Sequence, residues 1–329
     1  MSLTYKNLVF SGGGVLGIAY LGTLDYFYKN NLVYPVARVA GTSAGAITAC
    51  LTAFNLPFSE LSAALDSLDY KKILDKEDNP ETPKEFSSAF KEQFSRIFDN
   101  IDCVYRLIKK YGWYSSQYFY NWIKLQIASQ FDSIKKPPPY TFADFQNPSI
   151  HKDNRIFKDL YIVGTNVSRS SSIIFSYNTT PDMEVAEAVR ISMSVPLLFE
   201  SVKSDCISTK NEPPYIFIDG GMLYNYPINL FDDISPLDET LGIYFNSTPP
   251  PATIKNLVDF ISCALSCSGS VQNALFASKP ENIARSICIY TGDISSLDFN
   301  ITTGDSTYNF LYEQGYRAAE VYFSLLLNN

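Results

Sequence analysis

The chain has 329 residues, 46% of them hydrophobic and 18% charged, which is enough length and apolar content for a large globular core. A formal net charge of −8 argues against a nucleic-acid partner, which needs a basic stripe, and against purely electrostatic docking on an anionic membrane. One histidine and six cysteines without a C-x-x-C pair exclude a dense disulfide framework and the clustered ligands of a zinc site.

The N-terminus lacks the basic start and apolar run of a secretory signal. The apolar stretch 257–267 falls far short of the ~20 residues that span a bilayer. The chain is therefore expected to be soluble as made, cytoplasmic or secreted without a leader. Its cysteines are expected as free, mostly buried thiols in a reducing compartment.

Residues 8–10 read as a short buried strand that opens into Ser11-Gly12-Gly13-Gly14. Val15, Ile18, Ala19, Leu21, Leu24 and Phe27 follow at helical spacing. Gly17 and Gly22 would weaken an isolated helix, but inside a packed one they permit close approach to a neighbour. Residues 36–40 form a second strand that ends at Gly41-Thr42-Ser43-Ala44-Gly45, and residues 46–54 read as a buried helix stopped before Pro57. Strands alternating with helices imply a parallel sheet covered on both faces.

Residues 66–140 differ in character. They are richer in charge and aromatics, are broken by Pro80, Pro83, Pro137, Pro138 and Pro139, and are expected to hold several helices. Tyr105, Tyr111, Trp113, Tyr114, Tyr118, Phe119, Tyr120 and Trp122 crowd there beside Arg106, Lys109 and Lys110. Such a stripe either packs on the core as a cap or forms a lid at a lipid interface. The sheet resumes at residues 160–165 and 172–176. A helix over 185–194 ends before Pro196, and a strand over 215–218 delivers Asp219. Further strands are expected at 241–245 and 286–290, and helices at 253–268 and 308–327.

A G-x-S-x-G segment between strand and helix is a candidate nucleophile elbow. It would place Ser43 on a tight, strained turn where Gly41, Ala44 and Gly45 avoid clashes. The usual partner of such a serine is a histidine held by a carboxylate. The single histidine, His151, lies in a polar, proline-containing run, 146–155, that reads as an exposed loop. It also falls between Ser43 and Asp219, whereas elbow hydrolases run in the order serine, acid, histidine. His151 is thus expected on the surface and outside the chemistry.

Asp219 is the best remaining candidate to take the serine proton. An ordinary aspartate, with a pKa of about 3.9, is a poor base at neutral pH, and burial beside an apolar strand would raise it. Asp-Gly is also a turn signal by itself, and only a fold can bring two such distant residues together.

The run Gly12, Gly13 and Gly14 would present backbone N–H groups at a helix start, a nest suited to the oxyanion of a tetrahedral intermediate. The same run fits a dinucleotide fingerprint, Gly12-x-Gly14-x-x-Gly17. That reading requires an acidic residue at the end of the second strand. Residues 36–40 have none, and Arg38 lies within the strand rather than after it.

The segments Ser11-Gly12-Gly13-Gly14-Val15-Leu16-Gly17, Gly41-Thr42-Ser43-Ala44-Gly45 and Asp219-Gly220-Gly221 resemble, in order and spacing, three motifs of the patatin-like phospholipases. Residues 185–199, Tyr224-Asn225-Tyr226-Pro227, Thr141-Phe142-Ala143-Asp144-Phe145 and Gly164-Thr165-Asn166 fit the same family. The likeness covers residues 5–230 well and the tail more loosely.

The resemblance implies one domain over residues 1–329, a three-layer α/β/α sandwich with a mostly parallel central sheet, carrying a helical cap at about 66–140. It implies a phospholipase A-type acyl hydrolase with a Ser43–Asp219 dyad, an acyl-enzyme, and an oxyanion site at Gly12, Gly13 and Gly14, without metal or organic cofactor. The implied partners are a phospholipid or other acyl lipid and the membrane or micelle surface that presents it. Some bacterial members need a host activator, which makes a protein activator a further candidate. The family often carries Arg or Lys where this chain has Leu16, so no preference for an anionic head group is implied. The alternative is a patatin-fold lipid-binding or scaffold protein with weak catalysis.

Overall fold

Asn7–Phe10 form strand β1, and all four residues are buried, so β1 lies inside a sheet covered on both faces. The computed structural model describes residues 4–74, 101–208, 212–246, 254 and 257–327. After β1 come a 3-10 turn (Gly14–Gly17), α1 (Ile18–Lys29), β2 (Arg38–Thr42), α2 (Ala44–Ala53) and α3 (Phe58–Asp66). Then follow α4 (Ile101–Lys110), β3 (Gly112–Tyr114), α5 (Gln117–Ala128), β4 (Asp159–Asn166), β5 (Ser171–Ser176) and α6 (Val185–Met193). The chain continues through β6 (Leu197–Phe199), β7 (Val202–Ser204), β8 (Tyr215–Asp219), β9 (Thr240–Asn246), α7 (Leu257–Ala277), β10 (Ser286–Tyr290) and α8 (Ser306–Leu327).

Eight strands form one sheet in the order β10-β9-β1-β2-β4-β8-β7, with β5 also paired to β4. The run from β10 to β4 is parallel throughout. β5, β8 and β7 join through antiparallel pairings. The sheet is therefore mixed, parallel over its larger part.

Side chains alternate across it, as the strand period of two requires. Leu8, Phe10, Val39 and Ile162 face the main core with α1, α2 and α6. Val9, Ala40 and Tyr161 face a smaller cluster closed by Tyr226, Leu230 and Phe231. Phe276 of α7 joins that second side by packing on Tyr226 and on Tyr244 of β9. The result is the three-layer arrangement.

α1 and α8 cross closely because both carry glycine at the contact. A Cβ on Gly22 would lie 1.9 Å from the Tyr312 carbonyl oxygen, and one on Gly315 would lie 1.8 Å from that of Ala19. Thr23 Oγ1 donates to the Gly315 carbonyl at 3.0 Å across the same contact.

Of the segment expected to form a cap, residues 75–100 lie outside the described residues. In the rest, Phe119 and Trp122 are buried, and the Trp122 indole donates to Ser67 Oγ at 2.9 Å. This part of the aromatic stripe packs on the core.

Two expectations are overturned. His151 is not on the surface: it is 1% exposed. Its ring stacks on Phe157 at 3.7 Å and meets Phe131 edge-on, while its two nitrogens face the Arg155 and Asp144 carbonyls at 2.7 and 2.8 Å. The polarity of the surrounding run had pointed to solvent, but aromatic partners from several segments converge on the ring. The thiols are also less buried than expected. Cys50 and Cys103 are buried, Cys206 and Cys263 partly so, and Cys267 and Cys288 are exposed, with none in a disulfide. Among the described residues, no helix is long and apolar enough to cross a membrane.

Candidate active site

β4 aligns the site. Its residues 159–163 pair with β2, and residues 164–166 pair with β8. Both lie on the same edge, because β5 occupies the opposite one. β2 and β8 therefore meet end to end, with Thr42 beside Val163 and Asp219 beside Gly164. The next residue after Thr42 is Ser43. Two side chains remote in sequence are brought together by consecutive positions of a third strand.

Ser43 forms the N-terminal cap of α2 with φ 53° and ψ −121°, a conformation that costs a non-glycine residue roughly 1–3 kcal/mol. Its N–H donates to Ser192 Oγ at 2.9 Å, and the Ser192 hydroxyl donates to the Val163 carbonyl at 2.6 Å. The turn is pressed against β1: a Cβ on Gly45 would lie 2.4 Å from the Phe10 carbonyl oxygen. The N-terminus of α2 also places positive partial charge beside the serine.

The Ser43 side chain is near enough to the Asp219 carboxyl to act on its protonation, drawing its pKa down. Asp219 Oδ1 accepts the Gly221 N–H at 2.6 Å, and the Asp219 N–H donates to the Ser194 carbonyl at 2.8 Å. Burial pushes the carboxyl up to about 7, against the smaller opposing effects of the Ser43 side chain and the Gly221 N–H.

The glycine loop borders the same space. Of the three amides expected to hold an oxyanion, that of Gly12 is already engaged, donating to the Asn225 carbonyl at 3.0 Å. Among the described residues, the N–H groups of Gly13 and Gly14 have no such partner. Gly14 takes φ 55°, which glycine adopts without strain. Arg38 hydrogen-bonds Asn7 and Ser235 within and beyond the sheet.

Ser43, Asp219 and the three glycines share one cavity of about 260 Å3. Its walls are mostly apolar, including Leu16, Ile47, Leu68, Phe119, Phe199 and Phe299. Among the described lining residues there is no lysine, arginine or histidine. Nor do the described residues contain a group of three side chains able to hold a metal ion. Leu197, Met222 and Leu223, beside or within the lining, are 43%, 37% and 45% exposed.

Sequence reasoning had not singled out Ser192 as a site residue. Its signal was a serine at i+7 from Val185 and i+3 from Val189, on the apolar stripe of α6. Asn225 was seen only as part of a motif. Ser296, whose carbonyl accepts the Val15 N–H at 3.0 Å beside the glycine loop, carries no local signal.

The sequence model for the family described as Patatin-like phospholipase matches residues 8–232. The chain is 29% identical over 341 aligned residues to uncharacterized protein R571 of Acanthamoeba polyphaga mimivirus, covering 98% of this chain and 95% of that one. It is 25% identical to the probable lipid hydrolase 463L of Invertebrate iridescent virus 6, over 69% of this chain and 63% of that protein. VipD of Legionella pneumophila shares the fold at a TM-score of 0.59 and 18% identity, over 97% of this chain and 67% of VipD. The family match covers most of the chain, which belongs to the patatin-like phospholipase family.

Proposed function

We propose that the protein is a lipid acyl hydrolase of the phospholipase A type, working through a Ser43–Asp219 dyad within one patatin-like domain. The observation that carries this reading is a serine in a strained turn that shares one largely apolar cavity with a buried carboxyl whose proton affinity is raised to about 7. A carboxylate so tuned is matched to accept a proton near neutral pH.

Ser43 Oγ attacks the ester carbonyl carbon while its proton passes to Asp219. The carbonyl oxygen becomes the oxyanion and takes hydrogen bonds from Gly13 and Gly14. Collapse breaks the acyl–oxygen bond, and Asp219 returns its proton to the departing alcohol. Water then attacks the acyl-serine, giving its proton to Asp219, and the second collapse releases the fatty acid and restores the Ser43 hydroxyl. The apolar walls hold the acyl chain. The exposed Leu197, Met222 and Leu223 suit contact with the membrane or micelle surface that supplies the lipid.

The test is a fluorophosphonate probe followed by peptide mapping, with a panel of phospholipid and neutral-lipid esters. Label on Ser43, and ester hydrolysis abolished in Ser43→Ala, is the expected result. Absence of both leaves a lipid-binding or scaffold protein.

A further inference from the structure

The turn carrying Asp219 is held by a residue outside the stretch that matches the family, which ends at 232. Gln272 of α7 uses both ends of its side-chain amide on this turn. Its Oε1 accepts the Asn225 N–H at 2.7 Å. Its Nε2 donates to the Gly221 carbonyl at 3.0 Å and the Met222 carbonyl at 3.3 Å. Ser268, one helical turn earlier, donates to the same Met222 carbonyl at 2.9 Å.

The two ends lead to the two halves of the site. Gly221 gives its N–H to the Asp219 carboxyl. Asn225 receives the Gly12 N–H on its carbonyl at 3.0 Å, and its Nδ2 approaches the Gly12 carbonyl at 3.4 Å. That pairing sets the direction of the loop that continues into Gly13 and Gly14. One glutamine therefore ties the carboxylate turn to the glycine loop while touching no reacting atom.

We propose that Gln272 is a positioning residue for the reaction, fixing Asp219 and the Gly13–Gly14 amides relative to Ser43. This inference rests on the dyad reading above. A partly exposed turn whose one donor and two acceptors face a single amide loses its register when that amide is removed. Displacement of catalytic groups by about 1 Å can cost about 100-fold in rate.

The experiment compares wild type, Gln272→Met, which keeps the volume, and Gln272→Ala on a short soluble ester such as p-nitrophenyl butyrate. Amide hydrogen exchange at Gly12 and Asn225 is measured on the same samples. Both variants should lower kcat by about 10- to 100-fold with KM within about threefold. The acidic limb of their pH–rate profiles should move to higher pH, because a loosened Gly221 N–H stabilises the Asp219 carboxylate less. Exchange at Gly12 and Asn225 should quicken while the rest of the sheet stays protected.

A kcat within about twofold of wild type in Gln272→Met overturns the proposal. So does a loss of kcat that disappears on cooling to a temperature where the variant is fully folded. If wild type takes no probe at Ser43 and cleaves no ester, the dyad reading has failed, and the exchange measurement decides alone. Faster exchange confined to Gly12 and Asn225 then supports the clamp, and unchanged exchange sinks it.

Discussion

Replacing Asp219 by asparagine removes a carboxyl that burial pushes up to about 7 in the folded chain, against the ordinary aspartate value near 3.8 when unfolded. Between those values the folded protein holds a proton that the unfolded chain has released. Stability from this group therefore falls as pH rises from about 4 to 7. Three units at about 1.4 kcal/mol each give a total near 4 kcal/mol, of which about 3 kcal/mol is lost above pH 5. Asparagine has no such titration, and its carbonyl oxygen can still accept the Gly221 N–H.

Urea unfolding at pH 5 and pH 8 measures the effect. Asp219→Asn should gain on wild type by about 3 kcal/mol between the two pH values, with an unchanged dependence on urea. Turnover should fall at least about 100-fold, since the group that takes the serine proton is gone. Wild-type activity should likewise decline as pH drops below about 7. A stability gap between the two proteins that is equal at pH 5 and pH 8 would refute the assignment of a raised, buried carboxyl.

Lys158 is buried, donates to the Val33 and Val36 carbonyls, and is lowered by burial to about 8. Its folded value lies below its unfolded one, so wild-type stability should rise between pH 8 and 10.5 by up to about 3 kcal/mol, and Lys158→Met should lack that rise in the same unfolding assay. His151→Ala should lower stability by about 2–4 kcal/mol, through the lost stacking on Phe157, yet leave ester kcat unchanged; a large fall in kcat at full folding would return the imidazole to the chemistry. Leu223→Asp should reduce hydrolysis of liposomal lipid more than hydrolysis of a soluble ester, and equal losses on both would count against a lipid surface at this rim.

The parts legible in the sequence are those written locally. β1 and β2 show as apolar runs, α1 as a helical period, and the two glycine-bracketed turns as small residues where a bulky one would clash. The near absence of histidine excluded the usual triad and directed attention to Asp219. Strands β3, β6 and β7 were not legible, because three residues are too few to display a period. The place of His151 was misread for a related reason: its burial comes from Phe131 and Phe157, which meet only in the folded chain.

Composition and local pattern thus determined the class of fold, the sharp turn at Ser43 and the absence of a histidine partner for it. The tertiary structure alone decided that Asp219 lies in the same cavity as Ser43, because that placement depends on β2 and β8 sharing one edge of β4. It alone decided that the Gly12 amide is occupied while those of Gly13 and Gly14 are not, and that Gln272 braces the turn. The physical reason is common to all three: strand pairing and backbone hydrogen bonds between distant segments obey register and geometry, which no local run of side chains encodes.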